Sequence, residues 1–171
     1  MGSGEQYLVT GSARTTLLQG PLGAFLMLGG DRTGGRLSVL EHPLAARALG
    51  SPIHTHRDED EYSVVLEGFV GAQVGEQVIE AGPGAVLVKP RGVPHAFWNP
   101  TDQPARLLEI ISPAGFEQYF ASLAGILAGP GAPDDGQLAA LAGRYGLDVD
   151  LASIPRLAAA YGLNVASRGM E

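Results

Sequence analysis

Apolar and polar residues alternate with a period of two in short runs along much of this chain, and glycine, proline or charged residues close each run. From residue 62 to 111 the rhythm is regular. It predicts strands over 62–67, 69–74, 77–81, 85–88, 95–98 and 105–111. Turn signals separate them at Gly68, Gly75-Glu76, Gly82-Pro83-Gly84, 89–94 and 99–104. Upstream, 22–28 and 36–40 read as two further strands around Gly29-Gly30-Asp31-Arg32-Thr33-Gly34-Gly35. That run lacks the lysine and hydroxyl residue of a phosphate-binding loop and no helix follows it, so it reads as a plain hairpin loop. Short strands at this spacing predict an antiparallel sandwich or barrel.

After Pro113 the period changes. Phe116, Tyr119, Phe120, Leu123, Ile126 and Leu127 recur at intervals of three and four, the apolar stripe of an amphipathic helix expected to pack on the outside of the barrel. Gly129-Pro130-Gly131-Ala132-Pro133 ends it, and Asp134 or Asp135 is placed to cap the next helix. The stretches 141–149 and 157–165 then match at six positions, which predicts two short helices closed by glycine. The expected division is an all-β barrel domain over residues 1–113 and a helical extension over 114–171 packed on it.

Composition narrows the class. A length of 171 residues, 45% of them hydrophobic, supports one buried core and argues against disorder. The absence of cysteine excludes disulfides, thiolate metal sites and cysteine nucleophiles. Met1-Gly2-Ser3-Gly4-Glu5 lacks the basic and apolar regions of a signal peptide, and no apolar run approaches the ~20 residues of a membrane span, so a cytoplasmic location is expected. Eleven basic against 18 acidic residues, without a basic cluster, make nucleic acid and anionic membranes poor partners.

The candidate chemistry lies in His54-Thr55-His56, Glu61 and His95. On a strand, His54 and His56 point the same way. Glu61 has the wrong parity for that strand, so the chain must turn at 57–60, which reads as an exposed acidic hairpin tip; Glu61, Ser63 and Val65 then share one face of the return strand. Pro90-Arg91-Gly92-Val93-Pro94 forces another turn before His95. Three imidazoles and a carboxylate thus reach one interior, a donor set suited to a transition metal. Ser63, Val65 and Phe97 share the ligands' faces and are expected to line the substrate pocket. His42 reads as a surface or rim residue, and Trp98 as a packing or interface residue.

These residues resemble the two motifs of the cupins. His54, His56, Glu61 and Gly68 follow the first motif, and Gly84, Pro90, Gly92, His95 and Asn99 follow the second. One glycine departs from the pattern: Gly50 stands four residues before His54, where the family has one at six. The stretch 111–116 is similar to bacterial single-domain cupins grouped with quercetin dioxygenases. The resemblance implies a jelly-roll barrel in which His54, His56, Glu61 and His95 hold one divalent transition metal: iron, manganese, nickel, copper, cobalt or zinc. It implies an enzyme acting on a small aromatic or polyketide-like molecule, with quercetinase-like dioxygenation leading and Glu61 able to serve as base. A redox-neutral cyclase, isomerase or lyase and a non-catalytic metabolite-binding barrel are the alternatives. Cupins commonly pair through their sheets, so a homodimer is expected, through a face bearing Tyr62, Val64, Leu66 and Trp98.

Overall fold

A computed structural model describes residues 8–131 and 133–164. The first seven residues and Val165, the last position of the internal match, lie outside them. Among the described residues, eleven strands form two antiparallel sheets. The six-stranded sheet contains β1 (Thr15–Leu18), β2 (Ala24–Leu28), β3 (Ser38–Leu44), β5 (Asp60–Glu67), β8 (Val86–Lys89) and β10 (Ala105–Ser112), in the order β1-β2-β3-β10-β5-β8. The five-stranded sheet contains β4 (Ile53–His56), β6 (Val70–Val74), β7 (Gln77–Ala81), β9 (His95–Trp98) and β11 (Leu147–Asp150), in the order β11-β4-β9-β6-β7. The result is the expected jelly roll, all-β with a C-terminal helical region.

Alternation places the core between the sheets. In β5, Glu61, Ser63 and Val65 are buried while Tyr62, Val64 and Leu66 are only partly so, the period-two pattern of a strand with one face inward. Leu44, Val65, Leu87 and Leu107 from one sheet pack with Val70, Ala72, Ala81 and Phe97 from the other. Gly50 fits this core for a steric reason: a Cβ there would stand 2.3 Å from the Phe97 ring. The displaced glycine therefore lets the loop before β4 lie flat on an aromatic wall.

The tail differs from its expected form in two ways. Helix α2 (Glu117–Leu127) follows the predicted stripe, yet Phe116, Tyr119, Phe120 and Leu123 turn into a cavity of the barrel instead of onto its outer surface. Helix α3 (Asp135–Arg144) starts at Asp134, whose side chain accepts from the Gly136 amide at 2.8 Å. Gly146 then adopts a left-handed φ of 64° and sends the chain into β11, which pairs with β4 opposite His54 and His56. Helix α4 (Ser153–Tyr161) ends on Gly162 at φ 61°, after which Asn164 bridges to Ala48. Each copy of the internal match is thus a helix, a left-handed glycine and a return to the barrel wall. Helix periodicity masked β11, because its four residues form edge pairing supplied by a distant strand.

Trp98 lies on a different sheet from Tyr62, Val64 and Leu66, and Tyr161 of α4 stacks on it with centroids 4.1 Å apart. It therefore leaves the expected dimer face. The glycine-rich run joins β2 to β3 as expected, but its middle forms one helical turn, α1 (Gly30–Thr33), closed by Gly34 in the left-handed region.

Candidate metal centre

The cluster is assembled across both sheets. His54 and His95 are directly paired on β4 and β9, His56 lies one pleat further along β4, and Glu61 reaches in from β5. All four are buried, and one nitrogen or oxygen from each lies within 4.8 Å of the others. Together they form a possible binding group for one ion.

Hydrogen bonds orient two of the three rings. Nδ1 of His54 is 2.9 Å from the Pro52 carbonyl and Nδ1 of His95 is 2.9 Å from the Val93 carbonyl. A carbonyl only accepts, so in both rings Nδ1 bears a proton, and Nε2 is the nitrogen turned to the cluster. Nδ1 of His56 lies 3.4 Å from Glu59 Oε2. The His56 and His95 Nε2 atoms stand 3.3 Å from the Glu61 carboxylate, yet both are buried without a hydrogen-bond partner. Orphaned buried donors or acceptors are costly and rare in native proteins, and a metal ion is the group that these nitrogens suit. Burial, reinforced by the neighbouring His95, pushes His54 down to about 3, so its imidazole is neutral and free to ligate at physiological pH.

Behind Glu61 stands a charge network that the sequence pattern did not reveal. Lys89, fully buried at the end of β8, donates to Glu61 Oε2 at 2.8 Å and to Glu109 Oε2 at 2.9 Å. Ser63 also donates to Glu109 Oε2, at 2.7 Å. Burial alone would lower Lys89, but Glu109 and Glu61 raise it to about 12, so it remains an ammonium. Burial would raise Glu61; Lys89 and His56 instead hold it well below the usual carboxylate range. For Glu109 burial wins, with Lys89 opposing, and its carboxyl is pushed up to about 7. The signal available in sequence was Lys89 directly after Leu87 and Val88, and Glu109 amid Leu107, Leu108 and Ile110: charges interrupting apolar strands.

A cavity of about 120 Å³ opens beside the cluster. Leu22, Phe97, Phe116, Phe120, Leu123 and Leu147 supply much of its wall, with His42, Ser51, His54, Glu61, Lys89 and Glu109 as its polar groups. The Phe116 ring meets His56 edge-on, centroids 4.4 Å apart, so the chain just before α2 covers the ligand cluster. Of the three expected lining residues, Phe97 lines the cavity. Ser63 is buried on the same strand face but reaches the cavity only through Glu109, and Val65 is packed in the core. His42 is buried instead of sitting on the rim; its Nδ1 lies 2.7 Å from the Gly23 carbonyl and its ring is 5.2 Å from Phe120. The acidic tip is likewise only partly exposed, because Glu59 turns in toward His56 while Asp60 pairs with Arg91. Among the described residues no helix is long and apolar enough to cross a membrane.

Comparisons with known proteins agree with this geometry. A family model for the cupin domain matches residues 43–111, the segment that carries all four clustered residues. No curated protein matches the chain. Among solved structures, a sugar phosphate isomerase from a cupin superfamily of Silicibacter pomeroyi is similar at 22% identity and a TM-score of 0.54, over 61% of this chain and 74% of that one. A predicted oxalate decarboxylase from Thermotoga maritima gives 16% and 0.56 over 62% and 98%, and KdgF from Halomonas sp. gives 15% and 0.57 over 69% and 99%. At these identities the likeness establishes the fold, and with the family match it supports the cupin superfamily for the barrel.

Proposed function

We propose that this protein is a mononuclear metal-dependent enzyme acting on a small organic molecule, with dioxygenation of the quercetinase-like type as the leading chemistry. The observation that carries the proposal is the convergence of three imidazoles and one carboxylate beside a largely apolar cavity, whose wall His54 and Glu61 join. His54, His56, Glu61 and His95 would hold the ion. A divalent transition metal there would polarise a substrate oxygen and, if redox-active, bring O₂ to the same site. The chain's own contribution is to bind and to exclude water: Phe97, Phe116 and Phe120 enclose an apolar ring. Glu61, kept ionised by Lys89, would serve as the base.

Cavity size sharpens the substrate. An apolar cavity of about 150 Å³ accommodates benzene, so about 120 Å³ suits a single ring and not a three-ring flavonol unless α2 shifts. A phosphorylated substrate is disfavoured, because the cavity's one ammonium, Lys89, is already shared by two carboxylates. A specific observation favours a second reading, redox-neutral isomerase or lyase chemistry: Glu109, pushed up to about 7, is poised to exchange a proton near neutrality.

Elemental analysis of the wild type and of His56→Ala, followed by O₂ uptake with enolisable or catechol-like single-ring compounds, tests both readings. Near-stoichiometric metal lost in the variant, with O₂ consumed, supports the leading one. Equal metal in both proteins overturns it. Turnover without O₂ supports the second reading, and binding without turnover supports a metabolite-binding barrel. We also propose a homodimer formed through the outer face of the six-stranded sheet, where Val86 and Val88 are exposed beside Tyr62 and Val64.

A further inference from the structure

Outside the four clustered residues, two polar atoms of the cavity-lining residues are buried without a hydrogen-bond partner: Glu109 Oε1 and Ser51 Oγ. The serine hydroxyl can donate or accept, so it selects little. Glu109 is more informative. Its Oε2 is fully engaged by Lys89 Nζ and Ser63 Oγ, and that double grip fixes the carboxylate plane and leaves Oε1 as the unpaired oxygen of this cavity-lining residue. Lys89 is itself anchored on Glu61, so one edge of the cavity presents Glu61, Lys89 and Glu109 in line. An unpaired acceptor is expensive to keep in an apolar enclosure and becomes favourable once a ligand supplies a donor.

We propose that Glu109 is a substrate-recognition residue whose free Oε1 accepts a hydrogen bond from an O–H or N–H group on a ring-sized, otherwise apolar ligand. The proposal rests on the reading that this cavity is the substrate site, and it adds the substrate class: an aromatic or enolic ring bearing a hydrogen-bond donor. Ethers and fully alkylated rings are excluded from tight binding by the same carboxylate. At pH 8.5, above the raised value of about 7, the group is chiefly an acceptor.

The test uses pyrrole and furan, five-membered rings of nearly equal size, of which one donates through N–H and the other has only a ring oxygen. Binding of each to the full chain as purified is measured by calorimetry or ligand-observed NMR at pH 8.5, with metal content determined in parallel. A bare apolar cavity would favour furan, the less hydrated ring. Recognition by Glu109 predicts pyrrole tighter by about tenfold, the scale of one hydrogen bond to a charged acceptor. In Glu109→Gln the amide oxygen must take the place of Oε2 to satisfy Lys89 and Ser63, which turns the NH₂ toward the cavity and should reverse the order to favour furan. Furan equal to or tighter than pyrrole in the wild type, a pyrrole preference that survives in a folded Glu109→Gln, or binding of neither ring would each overturn the proposal. The wild-type ratio decides the matter even if the variant misfolds. A pyrrole preference in protein that holds no metal would uphold this inference while removing the metal-dependent reading; metal without the preference would do the reverse.

Discussion

Replacing Lys89 with methionine removes one ammonium and almost no volume, so its consequences should be electrostatic. In the native protein the side chain is 1% exposed and lies 2.8 and 2.9 Å from two buried carboxylates. Deleting one partner of a buried ion pair costs about 3–5 kcal/mol, because the remaining charge is stranded. For a chain of this size about 2–4 °C follows each kcal/mol, so Lys89→Met should lower the melting temperature by roughly 6–20 °C at neutral pH. The loss should also depend on pH with a definite sign. Glu109 has a folded value of about 7, above its ordinary 4.5. The folded state therefore binds more protons than the unfolded state within that window, and stability falls as pH rises through it, by about 3 kcal/mol. Without Lys89 the folded value climbs further and the window extends upward. Calorimetric melting at pH 5 and pH 8 should show a larger deficit at pH 8, partly relieved by added zinc, whose charge on Glu61 would replace that of the ammonium. A deficit equal at both pH values, or a variant melting within 2 °C of the wild type, would refute the view that Lys89 neutralises this cluster.

Phe116→Ala should cost about 3–5 kcal/mol in urea unfolding and enlarge the cavity, so that two-ring ligands bind more tightly than to the wild type. Burial, with Lys89 adding to it, lowers His42 to about 4, so the unfolded chain takes up a proton that the folded one refuses. Stability contributed by the neutral ring is present above pH 6.5 and lost as pH falls toward 4, by about 3 kcal/mol. His42→Asn, whose amide can still donate to the Gly23 carbonyl, should flatten the stability profile over that range in urea titrations at pH 7 and 4.5. Light scattering should find a dimer in the wild type and a monomer in Val86→Glu, because a carboxylate replaces an exposed valine on the proposed face; a monomeric wild type would remove the dimer.

Local sequence determined most of the barrel strands, β1 excepted, and the ligand cluster, because both obey short-range rules. A period of two assigns faces, turn residues bound each run, and the spacing of His54, His56, Glu61 and His95 sends all four inward without knowledge of what lies opposite. Only tertiary structure decided what surrounds them. Lys89 is the cross-strand partner of Glu61, and Glu109 of Ser63, through register between strands distant in sequence. The burial of Lys89 is tolerable only because that register brings two carboxylates to it. Strand β11 depends on the edge that β4 offers, and α2 turns its aromatic stripe into the cavity because β1 and α3 support it there. His42 is buried for the same reason, since Phe120 arrives from a helix some eighty residues further along the chain. Alternation states which side of a strand a residue occupies; which residue meets it across the core depends on contacts that the local pattern does not encode.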